Sequence, residues 1–160
     1  LDNKGEGEAT ADIQLCTAHW YGGNRQQGCE YTITAVSHLL GGVPIDGYYE
    51  LPMKAIPVLN KQVGGVTVTL EDDFSSVDAA MVKGKTITLS DSQAFHYIHD
   101  RYGVGDEENT SRMRRQRQYM SAFADKAKQK IAEDNQFAAT LLNALDSYAI
   151  SEINQNDLMH

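Results

Sequence analysis

From Thr110 to Ala132 the chain contains neither glycine nor proline. A stretch this long without a breaker reads as one α-helix. At the α-helical repeat, Met113, Met120, Phe123, Ala124, Ala127 and Ile131 fall on one face. That face must be covered by a sheet or by another helix, which commits the chain to a layered fold.

The same helix opens with Ser111-Arg112-Met113-Arg114-Arg115-Gln116-Arg117-Gln118. Arg112 and Gln116 lie at one edge of the apolar face. Arg115 lies just beyond on the same side, and Arg114 points away. Free backbone N–H groups and the positive end of the helix dipole sit in these first turns. Carboxylates are favoured there, so several arginines cost stability unless an anion compensates. Arginines and an amide at a helix N-terminus suit a phosphate or pyrophosphate, through bidentate hydrogen bonds. The loop just before, Tyr102 to Asn109, carries Asp106 followed by Glu107 and Glu108. An aspartate beside a phosphate site can hold Mg²⁺. Arg101, at the end of the preceding helix, reaches the same place if the two helices form a hairpin. The competing reading is a solvated helix face with surface ion pairs across the loop.

Charge narrows the partners. The chain has 160 residues, 14 Lys and Arg against 22 Asp and Glu, and a formal net charge of -8. Such a chain repels phosphates on average. The segment RMRRQRQ could track a nucleic-acid backbone, but the acidic total and the lack of a nucleic-acid module argue against that class. No run of about 20 apolar residues spans a membrane, and no signal peptide opens the chain. Cys16 and Cys29 match no zinc spacing; they are two buried thiols or one bridge. His19 and His38 read as packed histidines, and Trp20-Tyr21 as core or pocket lining. His96 and His99 have a spacing that can chelate a metal but no third ligand in view.

Length fits one domain, residues 1–160, opening on a polar arm or loop over residues 1–12. Short helices are expected over Ile13–Tyr21, Gln27–Leu40 and Pro52–Val63, the last kinked by Pro57. Strands are expected over Ile45–Leu51, Val66–Leu70 and Thr86–Leu89. Ser90 or Asp91 caps a helix running to about Arg101. A last helix covers Gln136–Tyr148, and a further element starts near Ile150. This alternation of helices and strands is an α/β or α+β layered domain.

Four ordered segments carry a family resemblance. HDRYGVGDEENTSRMRRQRQYMSAF (99–123) is similar to the R-x-R…G-D-x-x-R-x-x-R-Q block of the LytR-CpsA-Psr family, with a longer loop before the second Arg. LLGGVPIDGYYELPMKAIPVLNKQVGGVTVTL (39–70), AHWYGG (18–23) and SDSQAFHYIHDR (90–101) resemble the family's LGIPIDYY…VDALGGV, AAYAYGG and LNGEQALAYVRFR segments, in order. The resemblance implies an α-β-α sandwich around a central mixed sheet that binds polyprenyl pyrophosphate in a long apolar pocket. It implies cell-wall assembly: transfer of a lipid-linked glycopolymer, such as teichoic acid or capsule, onto peptidoglycan or another wall acceptor. By position it assigns Arg101, Arg112, Arg115 and Gln116 to the pyrophosphate, Asp106 to Mg²⁺, and Asp106 with Arg112 to catalysis. Arginine and Mg²⁺ would stabilise charge on the leaving group, or Asp106 would act as general base. The implied place is extracytoplasmic, behind an N-terminal membrane anchor not present in these residues. An older label for the domain is a cell envelope-related transcriptional attenuator.

The departures set the remaining expectations. His99 stands where the family has the first Arg of R-x-R, and Gln14-Leu15-Cys16 where it has Lys-x-Asn. Residues 1–13 match neither the Arg-Thr-Asp nor the Arg-Asp of the family's upstream strands. The chain is therefore expected to lack its N-terminal strands, one Mg²⁺-binding aspartate and two arginines, and to be inactive on its own. Exposed sheet edges would favour a homo-oligomer. Three readings stand: a phosphotransferase domain of the cell wall, a polyprenyl-phosphate or polyanion binding module without turnover, and a regulatory attenuator.

Overall fold

The computed structural model describes residues 15–153 and the backbone of residues 2, 3, 9 and 10. The chain divides into two compact units, one of residues up to Leu51 and from Ala149 on, the other Pro52–Tyr148.

In the first unit, β1 (Asp2–Asn3) pairs antiparallel with β2 (Ala9–Thr10), so part of the expected polar arm is a short ladder. The rest of the arm and Gln14 lie outside the described residues, as does the tail after Ile153. A 3₁₀-helix, Leu15–Tyr21, packs on α1, Arg25–Leu39. Asn24 caps α1 by accepting from the Gln27 N–H at 3.0 Å. Close packing of the two helices depends on Gly28, where a Cβ would come within 2.6 Å of the His19 carbonyl oxygen. The expected strand Ile45–Leu51 shrinks to β3, Tyr49–Glu50, paired antiparallel with β6, Ile150–Ser151. Trp20 is 81% exposed, so it is not core. Cys29 is buried and Cys16 exposed, and no disulfide joins them.

The second unit holds a continuous apolar core. A 3₁₀ turn, Met53–Ala55, leads into α2, Ile56–Gln62. Pro57 does not kink this helix but sits in its first turn, where a missing N–H costs nothing. β4 (Thr67–Thr69) and β5 (Thr86–Thr88) form an antiparallel hairpin with Val68 opposite Ile87. Val68 faces inward, and Thr67 and Thr69 meet Thr88 and Thr86 outside, each pair at 2.8 Å. Ser90 and Gln93 form a reciprocal capping box that starts α3, Asp91–His99. Helix α4 runs Asn109–Glu133, and α5 covers Phe137–Leu145. Val66, Leu70, Phe74, Met81, Leu89, Ala94, Tyr97 and Tyr119 make the centre of the core.

Asn60 ties this unit together. It is 1% exposed. Its amide donates to the Leu89 carbonyl at 3.0 Å and to Asp91 Oδ1 at 2.9 Å. Its oxygen accepts from the Val66 N–H at 3.0 Å and the Tyr119 hydroxyl at 3.3 Å. One side chain thus links α2 to the residues that flank β4 and β5 and to α3 and α4.

The inward face of α4 is only partly the one expected: Ala127 is buried and Phe123 packs on the core, but the methionines and Ile131 are not covered. Ser111, Arg115, Tyr119 and Ala127 are buried, while Met113, Met120 and Ile131 are 43%, 54% and 43% exposed. Buried residues recur at four-residue steps through Arg115, and a reading by hydropathy alone turns that stripe away from the core.

Candidate functional site

The passage from α3 to α4 builds the candidate site. Helix α3 ends at His99, and glycines at positive φ, Gly103 (+74°) and Gly105 (+54°), turn the chain. Glu107 sits at φ +58°, alone among non-glycine residues described here. That conformation costs on the order of 1 kcal/mol. The Glu107 carboxylate offsets part of it by accepting from the Gly103 N–H at 2.8 Å. Helix α4 then starts with no acidic residue in its first turn and no side-chain cap.

Arg115 and Gln116 turn toward α3. Arg115 is 1% exposed. Its Nε donates to the Tyr97 carbonyl at 3.0 Å, and its Nη2 donates to the Asp100 carbonyl. Nη1 donates to Asp72 Oδ2 at 2.5 Å, and the guanidinium lies 5.0 Å from the Phe74 ring centroid. Gln116 Nε2 donates to the Ile98 carbonyl at 3.2 Å. A helix leaves its last carbonyls without partners, and these two side chains satisfy those of α3. The buried charge is tolerated because Asp72 neutralises it at contact distance.

Arg101 and Arg112 are held differently. Each keeps an Nε–H that is shielded from solvent and has no hydrogen-bond partner. Arg101 stacks over the Tyr102 ring at 4.3 Å and donates to its hydroxyl. Arg112 donates from Nη2 to Asn109 Oδ1 at 2.7 Å. An unpaired N–H shielded from water costs about 1–3 kcal/mol, which an incoming phosphate oxygen would recover.

Asp106 lies between these arginines in sequence and is exposed. Its Oδ2 accepts from the Ser111 hydroxyl at 2.7 Å and its Oδ1 from the Glu108 N–H at 3.0 Å. Ser111 Oγ in turn accepts from Arg114 Nη2 at 2.8 Å. The Ser111 bond first, then the Glu108 N–H and the Arg114 charge, hold Asp106 below the usual carboxylate range. Asp106 is therefore an ionised anchor at neutral pH and a weak base.

His96 and His99 do not splay toward a metal. Their Nδ1 atoms both meet Asp100, at 2.7 and 2.9 Å, and the His99 ring stacks on Phe95 at 4.9 Å. Burial raises the Asp100 carboxyl, but bonds from His99 and His96 outweigh it and leave it below the ordinary range. Among the described residues no three His, Cys, Asp or Glu side chains converge on a metal position. Asp106 supplies one carboxylate, with a hydrogen bond already on each oxygen. Mg²⁺ held there would need phosphate oxygens and waters to complete its shell.

Sequence reasoning missed Asp72, Ser111 and Arg114. The alternation Val66, Val68, Leu70 continues in phase to Asp72 and Phe74, both buried, and that phase was the available signal for Asp72. Arg114, expected to point away, reaches Ser111 and Glu71. Nothing in the spacing marks Ser111.

Comparison with known proteins agrees with this architecture. The LytR_cpsA_psr family matches residues 3–160. A comparison with the curated proteins gives no match. Among solved structures, Lin1025 protein from Listeria innocua is 27% identical with TM-score 0.61, over 88% of this chain and 53% of that one. Protein gbs0355 from Streptococcus agalactiae is 23% identical with TM-score 0.73, over 96% of this chain and 51% of that one. TagT, in a structure bound to LI-WTA, is 20% identical with TM-score 0.65, over 91% of this chain and 52% of that one. The chain spans about half the length of these structures. Among the described residues no helix is long and apolar enough to cross a membrane. The α/β fold is the one these structures share, the family match runs through nearly every residue, and the chain belongs to the LytR_cpsA_psr family.

Proposed function

We propose that the α3–α4 passage binds the pyrophosphate of a polyprenyl-linked glycopolymer, within a protein that transfers the glycopolymer to peptidoglycan or another wall acceptor outside the membrane. Family membership supports the setting, and so does the similarity to TagT, whose structure is bound to LI-WTA. The observation that carries the reading is the pair of shielded, unpartnered Nε–H groups on Arg101 and Arg112. Arg112 lies in the opening turns of α4, whose first turn holds no carboxylate.

In this reading Arg101 and Arg112 grip the phosphate oxygens, and Gln116 offers its second amide hydrogen. During transfer the acceptor hydroxyl forms the new bond to the glycopolymer, and the bond on the lipid side breaks. Its electron pair leaves with the lipid phosphate, where arginine hydrogen bonds gain strength as charge grows. Asp106, ionised and aligned by Ser111, orients the acceptor hydroxyl, whose proton passes to solvent as the new bond forms. Binding without turnover by this chain alone would fit the module reading.

Lipid extraction from purified protein, followed by mass spectrometry, tests the reading. Polyprenyl phosphate should be recovered, and much less of it from Arg101→Ala/Arg112→Ala. Absence of lipid together with no binding of added polyprenyl pyrophosphate would sink the proposal.

A further inference from the structure

Asp72 lies outside every motif that carried the sequence reading, yet it is 6% exposed and faces Arg115 across the core. The pair does more than neutralise charge. Through its Nη2 atom, Arg115 holds the Asp100 carbonyl, one residue before Arg101. On the other side of the pair, the backbone of Gly105 rests on the Asp72 carboxylate: a Cβ there would lie 2.7 Å from Asp72 Cγ. Gly105 is the residue before Asp106. So both ends of the loop that presents Arg101 and Asp106 are seated on one buried ion pair. Val104, 3% exposed, packs into the core between those ends.

Resting on the function proposed above, we propose that Asp72 and Arg115 are positioning residues. They touch no ligand, and they fix the separation of Arg101, Asp106 and Arg112 to which the pyrophosphate binds. Rigid support of this kind decides affinity, because a displacement of about 1 Å at a gripping group can cost about a hundredfold. The geometry also gives Gly105 its part: positive φ and lack of a side chain allow the loop to sit directly on the carboxylate.

The test uses Asp72→Asn, Gly105→Ala and a surface control, Lys130→Ala, in the whole chain. Geranylgeranyl pyrophosphate is the probe, titrated by calorimetry at a temperature where circular dichroism finds each protein folded. The Asp106 carboxyl is followed by ¹³C NMR in parallel. Wild type and Lys130→Ala should bind equally, while Asp72→Asn and Gly105→Ala should weaken binding at least about tenfold. In both, the Asp106 titration should move up toward ordinary carboxylate values, which loss of global stability alone would not do. Gly105→Ala leaves the ion pair's own groups intact, so it remains informative if Asp72→Asn does not fold. Wild-type affinity in both variants, with Asp106 titrating unchanged, would overturn the positioning role and leave the function standing. No binding by wild type would overturn the function and this inference with it.

Discussion

The Ser111 hydroxyl donates to Asp106 Oδ2 at 2.7 Å, from a side chain that is itself 1% exposed. A buried donor thus aims an exposed carboxylate, and it is the main cause of the lowered Asp106 titration. The folded state favours ionised Asp106, so the stabilisation is present above the ordinary aspartate range and is lost as pH falls through the lowered value. Ser111→Ala should raise the Asp106 midpoint toward about 3.9. A carboxyl-detected NMR titration from pH 2 to pH 6 reads this directly. An unchanged midpoint would show that the Glu108 N–H and the Arg114 charge suffice.

Arg112→Ala and Arg115→Ala should differ in kind. Arg112→Ala removes a group with one bond, to Asn109, and an unpartnered Nε. Relief of the shielded Nε–H offsets the bond lost to Asn109, so the variant's unfolding free energy in urea should equal or exceed that of wild type, while pyrophosphate binding weakens about tenfold or more, as for a charge-assisted hydrogen bond. Arg115→Ala leaves Asp72 buried without its partner and should cost about 3–5 kcal/mol. Equal destabilisation by the two would contradict the division of the arginines.

Much of this was legible in the residues, for physical reasons that can be named. Short-range signals worked: the cap at Ser90 or Asp91, the Val66–Leu70 alternation, and the loop from Tyr102 all rest on neighbouring residues of the chain. The four segments from Ala18 to Phe123 carried the family. What failed was the phase of α4 and the fate of its polar residues. Arg115 belongs to the buried stripe only because Asp72, 43 positions away, is there to meet it. Pair chemistry at that distance leaves no local periodicity. Hydropathy therefore turned Met113 and Met120 inward and left Asp72 in an acidic, irregular stretch. The strands fell short of their expected lengths because only Thr67–Thr69 and Thr86–Thr88 keep a ladder partner in that unit.

Alkaline titration should separate the tyrosines. Burial first pushes Tyr97 up to about 12, and Tyr119 is raised further for the same reason. Both favour the neutral form when folded, so their contribution is intact below about pH 10 and is lost as pH rises through the folded values. Stability should fall steeply between about pH 10 and about 12. Spectrophotometric titration at the phenolate band should find two of the eight tyrosines ionising only with unfolding. Early ionisation of all eight would mean that Tyr97 and Tyr119 are open to water.

The cysteines make a separate check on the first unit. Cys16 is exposed, whereas burial raises the Cys29 thiol and the His19 ring lies 3.9 Å from its sulfur. Ellman's reagent at about pH 8 should label Cys16 within minutes and Cys29 only in denaturant. Two thiols should be counted in all. A count of zero in the non-reduced, unfolded chain would mean that a bridge forms after all.

Asn60 is the strongest test of the second unit, because its four bonds reach α3, α4 and the residues flanking β4 and β5, and none of them is in the candidate site. Asn60→Ala opens a small cavity and strands the Val66 N–H, a buried backbone donor. The Leu89 carbonyl and the Tyr119 hydroxyl lose a partner as well. At about 1 kcal/mol or more for each stranded group, the cost should reach about 3 kcal/mol. Asn60→Asp is the sharper variant. It keeps the size and the acceptor for Val66 and Tyr119, but sets a carboxylate against Asp91 Oδ1, which the amide now meets at 2.9 Å. Its ionised form is penalised both by burial and by Asp91, so the folded titration of the new carboxyl should rise. Asn60→Asp should then be most nearly native in acid and lose stability as pH climbs through that raised value, the opposite of wild-type Asp106. Urea unfolding at pH 4 and pH 7 reads the difference. A variant equally stable at both would mean that Asn60 and Asp91 are not in contact.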